Sequence, residues 1–470
     1  MIWLLGAGPG DLGLLTLRGF EVLKRADVVI YDRLVGDGVL ALIPENAEKI
    51  DAGKTSGSHK ISQTEIENLI IEKAKSGKNV VRLKGGDPFL FGRGGEEAEA
   101  LIKAGLKFEI IPGVSSAIAV PECAGIPVTH RNFCSGINIF TAHDKNNLVP
   151  DFNDTVSIFL MGVGNAEHLQ KKLLKTLSPE TPCAIIEKGT TSQERIIRTK
   201  LENLYECAKK INPPAVIVVG KTAGLDLRGV RGAPRAKKRI IITRPSGRSE
   251  KLAALLRDAG AEVILMPTIK TSVINDALNG KNISDYDWIG FTSVTGVEAL
   301  FEILAKNNRD IREIGNAKIA AIGSATKDAL TKHGLKVDYV PEVFDGENLA
   351  YGLSKFKKKI LMFRAFNGTP EISKIFSEEK IDFTEIYLYK TEYVKISHVP
   401  EDADIIIFTS ASTVRGFAEN IKNMRDVQTV CIGRQTAEEA KNFGFTKIKT
   451  AECATIESIC AIINREKKIC

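Results

Sequence analysis

Aromatic residues are scarce in this 470-residue chain, at 6% of positions with two tryptophans. No basic stripe is interleaved with aromatics, so a base-stacking nucleic-acid groove is disfavoured. No run approaches the roughly 20 unbroken apolar residues that a membrane-spanning helix needs. Eight cysteines, at 123, 134, 183, 207, 431, 453, 460 and 470, form no CxxC, and none stands at zinc spacing from a histidine. That pattern predicts reduced thiols, a cytoplasmic setting and no metal. Met1-Ile-Trp-Leu-Leu-Gly has neither a basic stretch nor a small-residue cleavage site, and it reads as the start of a strand. Gly6-Ala-Gly8-Pro-Gly10-Asp11 lacks the third glycine of a GxGxxG fingerprint, which disfavours a nicotinamide dehydrogenase. Charge of one sign is also thin, with a net +7. A mixed, solvated surface accounts for that excess, and an acidic ligand is the alternative.

What is present is alternation. Short apolar strands are predicted at 2–5, 28–31, 80–83, 108–111, 156–160, 184–187 and 215–219. Helical stretches fall between them, among them 15–25, 63–76 and 94–104. This argues for an α/β fold with substantially parallel sheets. Residues 225–238, LDLRGVRGAPRAKK, have no period and carry Gly, Pro and many basic residues. After them the pattern restarts with a strand at 240–243 and a helix at 249–259. A second protein fused to the first is expected. That second part echoes itself: GFTSVTGVE from Gly290 resembles IFTSASTVR from Ile407, and AIGSATKDA from Ala321 resembles CIGRQTAEEA from Cys431. Two similar lobes follow, with hydroxyls and helix N-termini at strand ends, where anions are held.

In the first half the informative segment is VRLKGGDPFLFGRGGEE, residues 81–97. Glycines at 85, 86, 92, 94 and 95 fill a short strand-to-helix connection, which surface solvation does not explain. Asp87 could accept from a ribose or an amino group. Ile111-Pro-Gly-Val-Ser115-Ser116-Ala places a hydroxyl pair at another helix start. Asp32, in Tyr31-Asp-Arg-Leu, is a base candidate at a strand end; a helix N-cap or an ion pair with Arg33 is the plainer reading.

Together these strings carry a resemblance. GAGPGD, LLTLRG, ADVVIYDRLV, the GK motif at 53–54, VRLKGGDPFLFGRGGEE, PGVSSA, AGIPVTHR, FLMG, EKGT and NPPAVIVVG run collinearly through residues 1–225. They resemble uroporphyrinogen-III C-methyltransferase, of the tetrapyrrole methylase family. The resemblance implies two lobes, about 1–113 and 114–225, in a homodimer. It implies S-adenosylmethionine as donor and S-adenosylhomocysteine as product. The donor would lie against Pro9, Gly85, Gly86, Asp87, Leu90, Ser115, Ser116, Met161, Gly189 and Ala215. Asp32 matches the family's proposed base and Lys54 its proposed acid. Porphyrinogen carboxylates make Arg33, Arg82, Arg93, His130 and Arg131 plausible clamps by charge. The chain departs from the family at Thr141-Ala-His143, Cys123 and Ser115, which bears on fine substrate geometry.

Residues 239–470, after a linker at 226–238, resemble uroporphyrinogen-III synthase through ITRP, the paired FTS and IGxxT strand ends, and YLYKT at 387–391. That resemblance implies one lobe from about 239–270 with 392–470 and an inserted lobe at about 271–391. The chain would cross between them near 268–271 and 389–392. Tyr389 matches the family's proposed acid for hydroxyl loss, against the alternative of a packed strand aromatic with a satisfied hydroxyl. Ser293, Thr326, Ser410 and Thr436 would line the substrate cleft. The implied chemistry is closure of hydroxymethylbilane to uroporphyrinogen III with ring D inverted, then methylation at C2 and C7 to precorrin-2, feeding sirohaem and cobalamin. The alternative is a methylase acting on another precorrin or on RNA, with a non-catalytic tetrapyrrole-binding second half. No nucleic acid and no membrane partner is expected in the main reading.

Overall fold

The computed structural model describes residues 1–44, 46–53, 61–141, 154–228, 238–245, 247–396, 399–400 and 402–465. Lys54, Ala142, His143 and linker residues 229–237 lie outside them. The first sheet takes β1 (Ile2–Gly6), β2 (Val28–Tyr31), β3 (Glu48–Asp51), β4 (Val80–Lys84) and β5 (Phe108–Ile111) in the order β3-β2-β4-β1-β5, all parallel. Odd-numbered residues such as Trp3, Leu5, Val29 and Val81 pack one face. Even-numbered residues such as Ile2, Leu4, Val28 and Val80 pack the other, against Ile66, Ile70, Ala98 and Leu101. Burial on both faces is why β1 and β2 read as unbroken apolar runs, while the edge strand β3, Glu-Lys-Ile-Asp, does not.

The second sheet takes β6 (Gly136–Thr141), β7 (Thr155–Leu160), β8 (Pro182–Glu187), β9 (Arg195–Lys200) and β10 (Ala215–Val219) in the order β6-β7-β10-β8-β9. It corrects the parallel expectation: β10 runs antiparallel to β7 and to β8, and β8 antiparallel to β9. The start of β10 therefore lies at the same edge as the ends of β7 and β8. Strand β9, Arg-Ile-Ile-Arg-Thr-Lys, is a half-buried edge strand with none of the apolar density that marks the others.

The chain forms two compact units, 1–267 with 395–470, and 268–394. In the larger unit β11 (Arg239–Ile242) and β12 (Glu262–Leu265) begin a third sheet. In the smaller unit β13 (Ile269–Val273), β14 (Trp288–Phe291), β15 (Lys318–Ala321), β16 (Ile360–Ala365) and β17 (Phe383–Tyr393) form a fourth, ordered β13-β17-β16-β14-β15, with β13 antiparallel to β17. Then β18 (Ile405–Phe408), β19 (Gln428–Cys431) and β20 (Ile448–Thr450) complete the third as β12-β11-β18-β19-β20, all parallel.

Within the larger unit, the first and third sheets' domains meet through charge. Arg239, at the start of β11, pairs with Asp37, Asp402 and, at 2.9 Å, Glu262. Burial opposes its charge, yet Glu262 and Asp37 raise its proton affinity. Ser192 N donates to Glu262 Oε2 at 2.7 Å, and Ala41 packs on the third sheet's core. No described helix is long and apolar enough to cross a membrane.

Among the described cysteines, Cys123 and Cys453 are exposed and Cys134, Cys183 and Cys431 are buried. Burial pushes the Cys183 and Cys431 thiols up to about 12. Alkylation of the native chain at neutral pH should label Cys123 and Cys453, and modify Cys183 and Cys431 only after denaturation. Peptide mass mapping reads this directly, and early labelling of Cys183 would contradict the second sheet's packing.

Candidate active sites

Three strand ends of the first sheet converge through glycine. Gly8 and Gly86 exchange backbone hydrogen bonds, at 3.2 and 2.8 Å. A Cβ on Gly6 would fall 2.5 Å from Gly113 Cα, and one on Gly113 would fall 2.2 Å from the Gly86 carbonyl oxygen. No side chain fits between these backbones, so the glycines are a steric requirement. Asp87 stitches the junction. Its Oδ1 accepts from Phe89 N at 2.8 Å and its Oδ2 from Gly113 N at 3.0 Å. The expectation that Asp87 serves a ligand thus meets a carboxylate with both oxygens already engaged by backbone.

Ser115 caps the helix Ser116–Cys123, its side chain accepting from Ala117 N at 3.2 Å. The helix N-terminus faces the turn at Gly86, where φ is +70° and a Cβ would meet nothing closer than Ser116 N at 3.9 Å. That leaves open space bounded by backbone amides. The second sheet contributes from the matching edge. Met161, after β7, is exposed with φ +56°. Gly189, after β8, presses on Val120 so closely that a Cβ would sit 2.4 Å from its Cγ1. Ala215 opens β10, pairs with Glu187 and follows the cis Pro213–Pro214 bond. Asp11 N donates to Thr190 Oγ1 at 3.4 Å, and a Cβ on Gly10 would strike Thr191. The two edges therefore touch, bringing Pro9, residues 85–87, Ser115, Ser116 and Gly189 to one place. Leu90 packs into the second sheet's core.

Asp32 follows β2 beside β4, with its backbone N donating to Leu83 O at 3.1 Å. The loop after it is wedged against the glycine turns: a Cβ on Gly85 would meet Leu34, and one on Gly36 the Gly10 carbonyl. Asp32 does pair with an arginine, but with Arg82 rather than Arg33. Arg82 is 2% exposed, and it also donates to Glu97 Oε1 at 3.0 Å and to Ile30 O at 3.3 Å. The clamp reading of Arg82 is therefore corrected, because its guanidinium is spent inside the protein. Lys84, also 2% exposed, donates to the same Glu97 oxygen at 2.9 Å and stands 3.8 Å from Asp32 Oδ2. Burial, then the Arg82 charge, lower the Lys84 ammonium below its ordinary range, against the pull of Glu97 and Asp32. Sequence reasoning passed over Lys84 and Glu97. The signal was two basic residues at i and i+2 inside an apolar strand, with an acidic pair on the next helix.

Of the other predicted substrate residues, Arg33 is exposed. Arg93 is exposed at φ +60° and pairs with Glu96 at 3.0 Å. Arg131 is exposed, and His130 Nδ1 accepts from Asn132 N at 3.2 Å in a local turn.

The second half repeats one strand-to-helix device. Ser293 and Ser410 follow β14 and β18, each extended (φ −168° and −167°), and each Oγ accepts an amide of its helix, Gly296 N at 3.0 Å and Thr413 N at 3.3 Å. Gly323 and Gly433 begin the helices after β15 and β19, with Thr326 and Thr436 buried in the first turns. In the smaller unit the Tyr389 hydroxyl shares a 2.9 Å hydrogen bond with Ser293 Oγ, while its ring is buried in the apolar core. No group of three His, Cys, Asp or Glu able to hold a metal occurs among the described residues.

Residues 1–205 match the family model described as Tetrapyrrole (Corrin/Porphyrin) Methylases, and residues 250–461 that of Uroporphyrinogen-III synthase HemD. The chain is 39% identical to "Porphyrin biosynthesis protein HemD" of Ruminiclostridium josui, over 97% of this chain and 96% of that one. The uroporphyrinogen-III C-methyltransferase of Methanocaldococcus jannaschii is 49% identical over 47% of this chain and 96% of its own length. A solved uroporphyrin-III C-methyltransferase from Thermus thermophilus, in complex with S-adenyl homocysteine, is 38% identical with a TM-score of 0.41, covering 47% of this chain and 97% of that one.

Gly113→Ala tests the junction. The added methyl has to displace the Gly86 carbonyl, so the Tm measured by scanning calorimetry should fall by at least about 3 °C. An unchanged Tm would mean that the three backbones do not need this close approach.

Proposed function

The chain belongs to the family that fuses a tetrapyrrole methylase to a uroporphyrinogen-III synthase, and from that membership we propose a division of labour between its halves. It is a bifunctional enzyme of tetrapyrrole biosynthesis. In this reading residues 239–470 close hydroxymethylbilane to uroporphyrinogen III, inverting ring D. Residues 1–225 then methylate C2 and C7 to give precorrin-2, on the way to sirohaem and cobalamin. S-adenosylmethionine is the donor, the first half forms a homodimer, and the enzyme works in the cytoplasm.

The chain's own residues fit that donor. It carries a carboxylate, ribose hydroxyls and a flat base, and the edge offers the backbone amide of Ser116 with open space before it at Gly86. Pro9, Gly85, Gly86, Asp87, Leu90, Ser115, Ser116, Met161, Gly189 and Ala215 would hold it, Asp87 through lone pairs that its two backbone bonds leave over. When bound, the donor supplies a methyl group already activated on sulfur. The protein has to orient a pyrrole carbon toward that methyl group and remove the proton that the ring loses. Asp32 takes the proton. It is a carboxylate at this edge that is partly exposed and fixed by Arg82, and that placement carries the reading. Lys54, outside the described residues, is the proposed acid. Arg33, Arg93, His130 and Arg131 are the proposed contacts for substrate carboxylates.

For closure, the substrate must lose a hydroxyl and be kept from direct cyclisation. Tyr389 with Ser293 offers a hydroxyl pair beside a helix N-terminus, and Ser410, Thr326 and Thr436 stand at equivalent strand-to-helix junctions. The Tyr389 and Ser293 hydroxyls can donate to a departing oxygen without a strong base.

Purified chain given enzymatically generated hydroxymethylbilane should yield the type III isomer without the donor and a doubly methylated product with it, read by isomer separation and mass. Type I isomer alone would sink the synthase half of the reading. If preformed uroporphyrinogen III stayed unmethylated, the acceptor would be wrong. Tyr389→Phe should slow closure about tenfold, the worth of one hydrogen bond, and leave methylation of preformed uroporphyrinogen III unchanged. An unchanged closure rate would leave Tyr389 as a packing residue.

A further inference from the structure

Even-numbered residues of β4 face an apolar layer, yet two of them, Arg82 and Lys84, are cations. Removing a charge from water is unfavourable unless it is paired, so two adjacent cations here require compensation. Glu97 provides it from the helix Gly94–Lys103, with its side chain wholly buried. Its Oε1 accepts from Arg82 Nε at 3.0 Å, Lys84 Nζ at 2.9 Å and Gln63 Nε2 at 3.3 Å. Its Oε2 is buried without a hydrogen-bond partner among the described residues. Asp32 is the fourth member, meeting Arg82 directly and Lys84 at 3.8 Å. The quartet is neutral as two cations and two carboxylates, and it is ordered in space. Glu97 is innermost, the cations are central, and Asp32, 31% exposed, is outermost.

We propose that Glu97 is a positioning residue for methyl transfer, holding Arg82 and Lys84 in the charge state and place that present Asp32 as a base. This rests on the reading of Asp32 given above. A proton moving from the substrate carbon to Asp32 leaves its electron pair in the ring and takes the quartet from neutral to one net positive charge. Glu97 is the interior carboxylate that keeps this protonated state at one positive charge rather than two. Without its charge, two cations face one carboxylate, which makes Asp32 easier to ionise and a weaker base. Burial and the Arg82 charge already lower the Lys84 ammonium, and Glu97 opposes both. The charged groups facing Asp32 and Lys84 are Arg82 on β4 and Glu97 on its helix; Glu96 on the same helix also acts on Lys84, and Gln63, at the start of the preceding helix, donates to Glu97.

The test uses the full chain with Glu97→Gln, Glu97→Asp and Asp32→Asn. Glu97→Gln should lower kcat for methylation of uroporphyrinogen III at least about tenfold and move the acid limb of the kcat–pH profile to lower pH. The donor KM and S-adenosylhomocysteine affinity should change less than about threefold. Glu97→Asp, which keeps the charge, should recover most of the rate. Closure of hydroxymethylbilane by the other half of the same molecule should be unchanged, which controls for folding. An inactive Asp32→Asn beside a Glu97→Gln with wild-type rate and acid limb would overturn this proposal alone. An active Asp32→Asn would overturn the base reading and this proposal with it. Equal losses of rate, S-adenosylhomocysteine affinity and Tm in both Glu97 variants, with no movement of the acid limb, would mean a purely structural role and overturn it as well.

Discussion

Backbone pressed against backbone is the constraint on which the first half depends. At the junction of Gly6, Gly86 and Gly113, carbonyl oxygens and α-carbons lie where any side chain would have to stand. With that approach in place, Asp87 can reach the Gly113 amide, the helix Ser116–Cys123 can point its N-terminus at the same edge, and the loop after Asp32 can seat on Gly85. Hydrophobic burial on both faces holds the sheet together. The edge itself is set by the absence of Cβ atoms, and that absence gives a ligand room to meet the main chain.

Much of this was legible. Strands at 28–31, 108–111 and 215–219 fall where apolar runs placed them, since burial on both faces leaves an unambiguous mark. The glycine-rich turns were visible because so many glycines in a short connection have no other use. The direction of strands in the second sheet was not legible. Antiparallel β9 alternates weakly, and alternation of strands with helices does not encode direction. Arg82 was misread for a related reason. Charge in a sequence suggests solvent, and what keeps Arg82 and Lys84 inside is Glu97, more than a dozen residues away on another element. Pairing across elements is a property of the fold, not of any window of sequence.

The repeated FTS and IG strings became a repeated geometry. Ser293 and Ser410 share nearly the same backbone angles and the same capping bond, as Gly323 and Gly433 share an extended φ at the next helix start. What the strings did not convey is that Thr326 and Thr436 are buried in the first turns of their helices. A hydroxyl at a helix start can face a ligand or the helix's own packing, and periodicity does not distinguish the two.

The inserted unit enters and leaves its own sheet through neighbours: β13 and β17 pair antiparallel from Ile269–Tyr393 to Val273–Tyr389. In the host sheet, β11 and β18 hydrogen-bond directly although the whole insert separates them in the chain. Neither sheet borrows a strand from the other. Each can therefore drift in sequence without dragging its neighbour's register along. A lineage could lengthen, shorten or exchange the 268–394 cassette while the host kept every one of its own strand pairings.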